Sequence, residues 1–257
     1  MTRIVPHQQM FNRAKMFDKW ANIFIYISSA ISIALMFINP TNERFVIVLN
    51  ALNCVIIALV VLFDQLFNYL FFEAGKAKRL DFIDNSFGTD FSGAKSQGYF
   101  TNENLSAGIY KMAVNCFENS FFSKNISSKM ISGAWIKAVI ILVIFVFNAA
   151  LGAKGLVNLL FQLSLPVLLI TQAVKVTFFY ARINTTYEAF LSLFSDFKQA
   201  GNILGKDPEI LKIVLEYQTT LTWGAIPLSD RVFNKFNPTL SRKWNELKAN
   251  YNIAGEA

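Results

Sequence analysis

The chain has 257 residues, of which 54% are hydrophobic and 16% charged, with a net charge of +7. Soluble domains carry about 25% charged residues, so this composition argues against an ordinary soluble globule. One histidine and two well-separated cysteines make neither a zinc site nor a disulfide framework.

The chain is read as non-enzymatic. It contains no G-x-S-x-G, no H-E-x-x-H and no glycine-rich phosphate loop, and His7 is its only imidazole. No cofactor and no metal are expected. The basic charges flank apolar segments and form no arginine-rich run, which favours a lipid bilayer as partner over duplex nucleic acid.

Four uncharged apolar runs follow along the chain: Ala21–Ile38, Phe45–Phe63, Ala138–Ala153 and Gly155–Val174. A hydrocarbon core about 30 Å thick is crossed by ~20 apolar helical residues. Each run is therefore expected to be a transmembrane helix, because a backbone in oil must satisfy its own hydrogen bonds. The first run follows Arg3, Arg13, Lys15 and Lys19, as a cleaved leader would. Asn39-Pro40-Thr41 follows it in place of a small-residue cleavage site, so it is read as a retained helix.

The links Asn39-Pro40-Thr41-Asn42 and Gly152-Ala153-Lys154-Gly155 carry breaker residues and force antiparallel neighbours. Lysine and arginine alternate along the chain: four in the first 20 residues, one in 39–44, seven in 73–134, Lys154 alone in the second link, and nine from Arg182 onward. By the positive-inside bias, both termini and both long basic segments belong in the cytoplasm. The expected fold is all-α, an integral membrane protein of four transmembrane helices in two hairpins with helical cytoplasmic extensions. Its parts are a cytoplasmic segment 1–20, a hairpin 21–72, a cytoplasmic helical segment 73–134, a second hairpin 135–181 and a cytoplasmic helical tail 182–257.

In the extensions, the second helix is expected to run on toward Arg79, with turns at Asn85-Ser86-Phe87-Gly88 and Ser92-Gly93. A separate helix is expected from about Asn104 to Met130. Asp207 and Pro208 suit the cap and first position of another helix, and a last one is expected over Leu240–Tyr251. Phenylalanine and tyrosine enrich both pieces, which are expected to pack on each other.

Mechanism enters with the polar residues inside the apolar runs. Asn50, Asn53, Asp64 and Asn68 fall within about 60° of one another on helix two. Asn158, Gln162 and Gln172 cluster within about 80° on helix four, with Lys175 on the flank. Polar groups at membrane depth are costly against lipid. Two readings stay open: amides that hold helices together, or the lining of a water-filled path, in which Asp64 and Lys175 would stand near the cytoplasmic mouth. Pro166 is a candidate kink in helix four. Ser28 and Ser32 permit close approach on helix one, and helix three, apolar apart from Asn148, is expected to face lipid. One four-helix subunit cannot enclose a wide pore, so the pore reading requires a homo-oligomer.

Lys76, Lys78 and Arg79 form a basic cluster with aromatic residues nearby, a candidate site for a nucleotide and equally the ordinary inside anchor of a span. The segments Ala77-Lys78-Arg79-Leu80-Asp81-Phe82-Ile83-Asp84-Asn85-Ser86-Phe87-Gly88, Tyr99-Phe100-Thr101-Asn102, Phe117-Glu118-Asn119-Ser120-Phe121-Phe122 and Trp223-Gly224-Ala225-Ile226-Pro227 stand in these extensions. With the four-helix layout, they make the chain resemble the four-transmembrane pore-forming effectors associated with bacterial nucleotide-second-messenger (SMODS/CBASS-like) synthases in antiphage defence. The resemblance implies an effector that permeabilises the bacterial inner membrane when a cyclic oligonucleotide or a nucleotide-synthase partner acts on its cytoplasmic part. It assigns no ligand-binding residue. The alternatives are a small transporter or permease subunit, and a non-conducting anchor for a cytoplasmic partner.

Overall fold

Apolar runs that are nearly free of glycine and carry proline only at Pro166 have little reason to stop being helical, and here they continue well past the lengths a bilayer requires. The computed structural model describes residues 5–38, 42–94, 96, 99, 102–150, 156–200 and 205–253, with backbone alone at 36–37, 148–150, 156–162, 164 and 200. The described residues form six helices and no strand: α1 (Gln8–Phe37), α2 (Glu43–Phe87), α3 (Ile109–Ala150), α4 (Leu156–Ala200), α5 (Asp207–Gly224) and α6 (Asp230–Asn250). The 45 residues of α2 span about 68 Å at 1.5 Å per residue.

Among the described residues, three helices are long and apolar enough to cross a membrane: α2, α3 and α4. The fourth expected span, Ala21–Ile38, falls on α1, which is not one of those three. The two short links, 39–41 and 151–155, lie outside the described residues.

Several boundaries differ from the sequence reading. Helix α2 does not turn at Asn85. It continues until Gly88 adopts φ 72° and donates its N–H to the Asp84 carbonyl at 2.8 Å, a left-handed stop that glycine reaches without strain. The expected cytoplasmic helix 104–130 and the third apolar run are one continuous helix, α3, because Gly133 alone is too weak a breaker. Pro166 lies within an unbroken α4. Lys206 occupies the cap position of α5, which places Asp207 and Pro208 inside the first turn. Helix α6 starts ten positions earlier than expected. Ser229 caps it by accepting from the Val232 N–H at 3.3 Å, and Pro238 lies within it.

The chain divides into two compact units, one of residues 1–9, 72–131 and 175–257, the other of 10–71 and 132–174. In the first, aromatic side chains from α3, α4 and α6 fill the core. Phe117 stacks on Phe194 at 4.9 Å and 14°, and Trp244 meets its edge at 5.2 Å. Tyr217 of α5 is buried and shares a 3.1 Å hydrogen bond with Ser123 of α3.

The second unit has a small core of Ile25, Ala138, Leu165, Leu169 and Ala173. Its outer surface is apolar: Ile47, Val48, Val55, Val61, Ile136, Val143 and Phe147 are each more than half exposed. So large an exposed aliphatic surface is not stable against water.

Candidate functional site

At Asn53 the polar stripe of α2 is sheltered by α1. Serines 28 and 32 lie one turn apart on α1, and Ser32 donates to the Ser28 carbonyl at 2.9 Å. The Asn53 amide nitrogen donates to the Ser32 hydroxyl at 2.9 Å. Both side chains are fully buried. The partnering is incomplete: Ser28 Oγ, Ser29 Oγ, Asn50 Oδ1 and Asn53 Oδ1 are buried without a hydrogen-bond partner. Each such atom costs about 1–3 kcal/mol unless water reaches it.

Further along the same unit, a second polar contact joins α1 to α4. Asn22 of α1 donates to the Asp18 carbonyl at 2.8 Å and accepts from Gln172 of α4 at 3.3 Å. On α2, Asn68 donates to the Asp64 carboxylate at 3.1 Å. The Asp18 and Asp64 carboxylates interact electrostatically. Asp64 and Asn68 are exposed, while Gln172 is half-buried.

Asn53 of α2 and Gln172 of α4 therefore each meet α1. Asn158 and Gln162 lie on the α4 backbone, and their side chains lie outside the described ones. Lys175 is exposed on α4, at the start of that helix's stretch in the other unit. Reading the sequence missed Asp18, Asn22 and Ser29. The signal was present for the first two, a polar pair at i,i+4 where the first apolar run begins.

The basic cluster on α2 divides among different partners. Arg79 donates to Thr222 Oγ1 of α5 at 3.0 Å, and its guanidinium lies 5.7 Å from the centre of the Phe72 ring. The charge of Lys78 acts on the buried Cys116 thiol, whose pKa burial raises and Lys78 partly lowers. Lys76 is exposed.

Beyond the cluster, carboxylates order the loop after α2. Asp84 accepts from Thr89 Oγ1, Phe91 N–H and Ser92 N–H, each at 2.7 Å. Burial opposes its charge, but these hydrogen bonds outweigh it and hold the carboxyl below the usual range. Asp81 accepts from the Ser96 N–H at 2.9 Å and lies 3.5 Å from His7 Nδ1. Asn115 donates to Asn85 at 2.8 Å, and Asn102 donates to Glu118 at 2.7 Å. These residues build a loop. Among the described residues no three histidine, cysteine, aspartate or glutamate side chains gather as a metal set would.

The chain matches no family model, no curated protein and no solved structure.

Proposed function

We propose that this chain is a multi-pass protein of the bacterial inner membrane, with four spans and both termini in the cytoplasm. We read it as a homo-oligomeric effector that forms a gated pore or disrupts the bilayer. Three apolar helices and the alternation of lysine and arginine support the topology, with α1 as the fourth span.

The observation that carries the pore reading is the polar strip at the α1–α2 contact of Ser32 and Asn53, where Asn53 Oδ1 is buried without a hydrogen-bond partner, as are Ser28 Oγ, Ser29 Oγ and Asn50 Oδ1 on the same two helices. Helices held together by amides alone would satisfy those oxygens. Open acceptors at membrane depth suit water. The role in antiphage defence, and a cyclic oligonucleotide or synthase partner as trigger, rest on the resemblance drawn from the cytoplasmic segments. Lys76 and Lys78 are the cations best placed to receive such a ligand, since Arg79 is held by Thr222.

The direct Ser32–Asn53 bond favours the second reading, a non-conducting anchor whose amides hold helices together. The deciding experiment is ion flux from vesicles of phosphatidylethanolamine and phosphatidylglycerol containing the purified chain, with and without cyclic oligonucleotides, paired with a mass measurement in detergent. Triggered flux from an oligomer is the expected result. A monomer that leaks no ions under any condition would overturn the pore and leave the anchor.

A further inference from the structure

The C-terminal turn of α5 is fixed to two helices at one height. Arg79 reaches back along α2 to lie over Phe72 and donates to Thr222, so Thr222 lies at the level of Phe72. On its other side, a Cβ at Gly224 would come within 2.6 Å of the Phe179 ring of α4, so the backbone there is in close contact with that residue. Between these two clamps stands Trp223, 62% exposed.

That height has a chemical meaning. Phe72 ends a stretch of α2 that begins at Phe45 and carries Asp64 as its one charge. Phe179 lies one turn beyond Lys175, the first charge after the apolar run of α4. Phe72 and Phe178 are also at least half exposed. Three half-exposed aromatic rings thus stand on three helices where apolar sequence gives way to charge. Lys76, Lys175 and Arg182, all exposed, border them, with half-buried Glu73 the acid among these neighbours. Exposed rings at the end of a span, rimmed by cations, match the layer where acyl chains meet anionic headgroups.

We infer that the C-terminal turn of α5 seats in the phospholipid headgroup layer, with Trp223 as its anchor, so that α5 is a membrane-contacting element of the cytoplasmic part. This rests on the bilayer reading above, and it adds a contact that the four spans alone do not require. A helix clamped to α2 and α4 while touching lipid couples the cytoplasmic unit to the bilayer surface.

The test is tryptophan quenching by brominated phospholipids, using the full chain in phosphatidylethanolamine–phosphatidylglycerol vesicles. The wild type is compared with Trp223→Phe and, as a control, Trp135→Phe. The expected result is that Trp223→Phe loses a resolved share of the lipid-quenched emission and that aqueous iodide does not quench that share in the wild type. If Trp223→Phe is quenched as the wild type is, while Trp135→Phe loses quenchable emission, the seat is overturned and the spans stand. Cross-linking of Trp223→Cys between copies, with no lipid quenching of Trp223 in the wild type, also overturns it and assigns the surface to a second copy. If brominated lipid quenches no tryptophan and the chain washes off the vesicles at alkaline pH, the bilayer reading fails together with this one. Trp223 is exposed, so its replacement by phenylalanine leaves the fold intact, and circular dichroism confirms that.

Discussion

Asn53 on α2 donates to Ser32 on α1 across 2.9 Å, and neither side chain retains any exposed surface. This bond joins helices through a single donor and leaves the amide oxygen open. It therefore separates the two readings of the strip. Asn53→Leu removes both the bond and the open acceptor. If the strip carries water, the variant folds and assembles while ion flux falls at least severalfold. If the strip only holds helices together, the variant loses about 1 kcal/mol of helix association with no flux to lose. Flux and detergent mass on one preparation distinguish the outcomes.

Asp64 is an exposed carboxylate on the polar stripe of α2, held by Asn68 and repelled by Asp18. Asp64→Asn removes a negative charge from the stripe. Cation flux is expected to fall relative to anion flux, and the ratio of the two is the measurement. An unchanged ratio places Asp64 outside the path.

The Asp84 carboxylate orders the loop after α2 by accepting three hydrogen bonds. Its pKa is depressed in the folded chain. The stabilisation is therefore present in full above the ordinary carboxylate pKa, near 3.9, and is lost as acid titrates the folded carboxyl. Asp84→Asn is expected to cost on the order of 2 kcal/mol at neutral pH. The gap to wild type should hold from pH 7 to pH 5 and narrow toward pH 3, as thermal unfolding in detergent would record.

Gly224 has no room for a methyl group, because Phe179 is itself 1% exposed and has nowhere to swing. Gly224→Ala should destabilise by about 1–3 kcal/mol. Gly133, with open space around it, should accept alanine without loss. The pair of melting curves checks both.

Phe117 touches Phe194, Phe190, Tyr187, Trp244 and Tyr251 at the centre of the aromatic core. Phe117→Ala should cost about 3–5 kcal/mol, and limited proteolysis should then open α5 and α6.

Helix was legible wherever apolar composition decided it, as in 45–63 and 138–147. The aromatic enrichment of the two extensions anticipated their shared core around Phe117. Boundaries failed where a local signal competed with a longer helix. Asn85-Ser86 reads as a turn, yet Asn85 and Ser86 find partners in Asn115 and the Phe82 carbonyl while staying helical. The last helix was expected only from Leu240, yet α6 begins at Asp230 and runs through Pro238. The spacing on α2 revealed the stripe of Asn50, Asn53, Asp64 and Asn68. That α1 would cover it at Asn53 and leave Asp64 and Asn68 exposed was hidden, because i,i+4 periodicity identifies a face and says nothing of which helix meets that face.

Two thiols stand in opposite surroundings. Cys54 is uncovered on the apolar face of α2, and Cys116 is sealed in the aromatic core with its ionisation suppressed. Maleimides attack through the thiolate, which neither the aromatic core nor, on the bilayer reading, the hydrocarbon around α2 supports. A cysteine placed by substitution at a water-facing position would therefore carry a spin or fluorescent reporter alone.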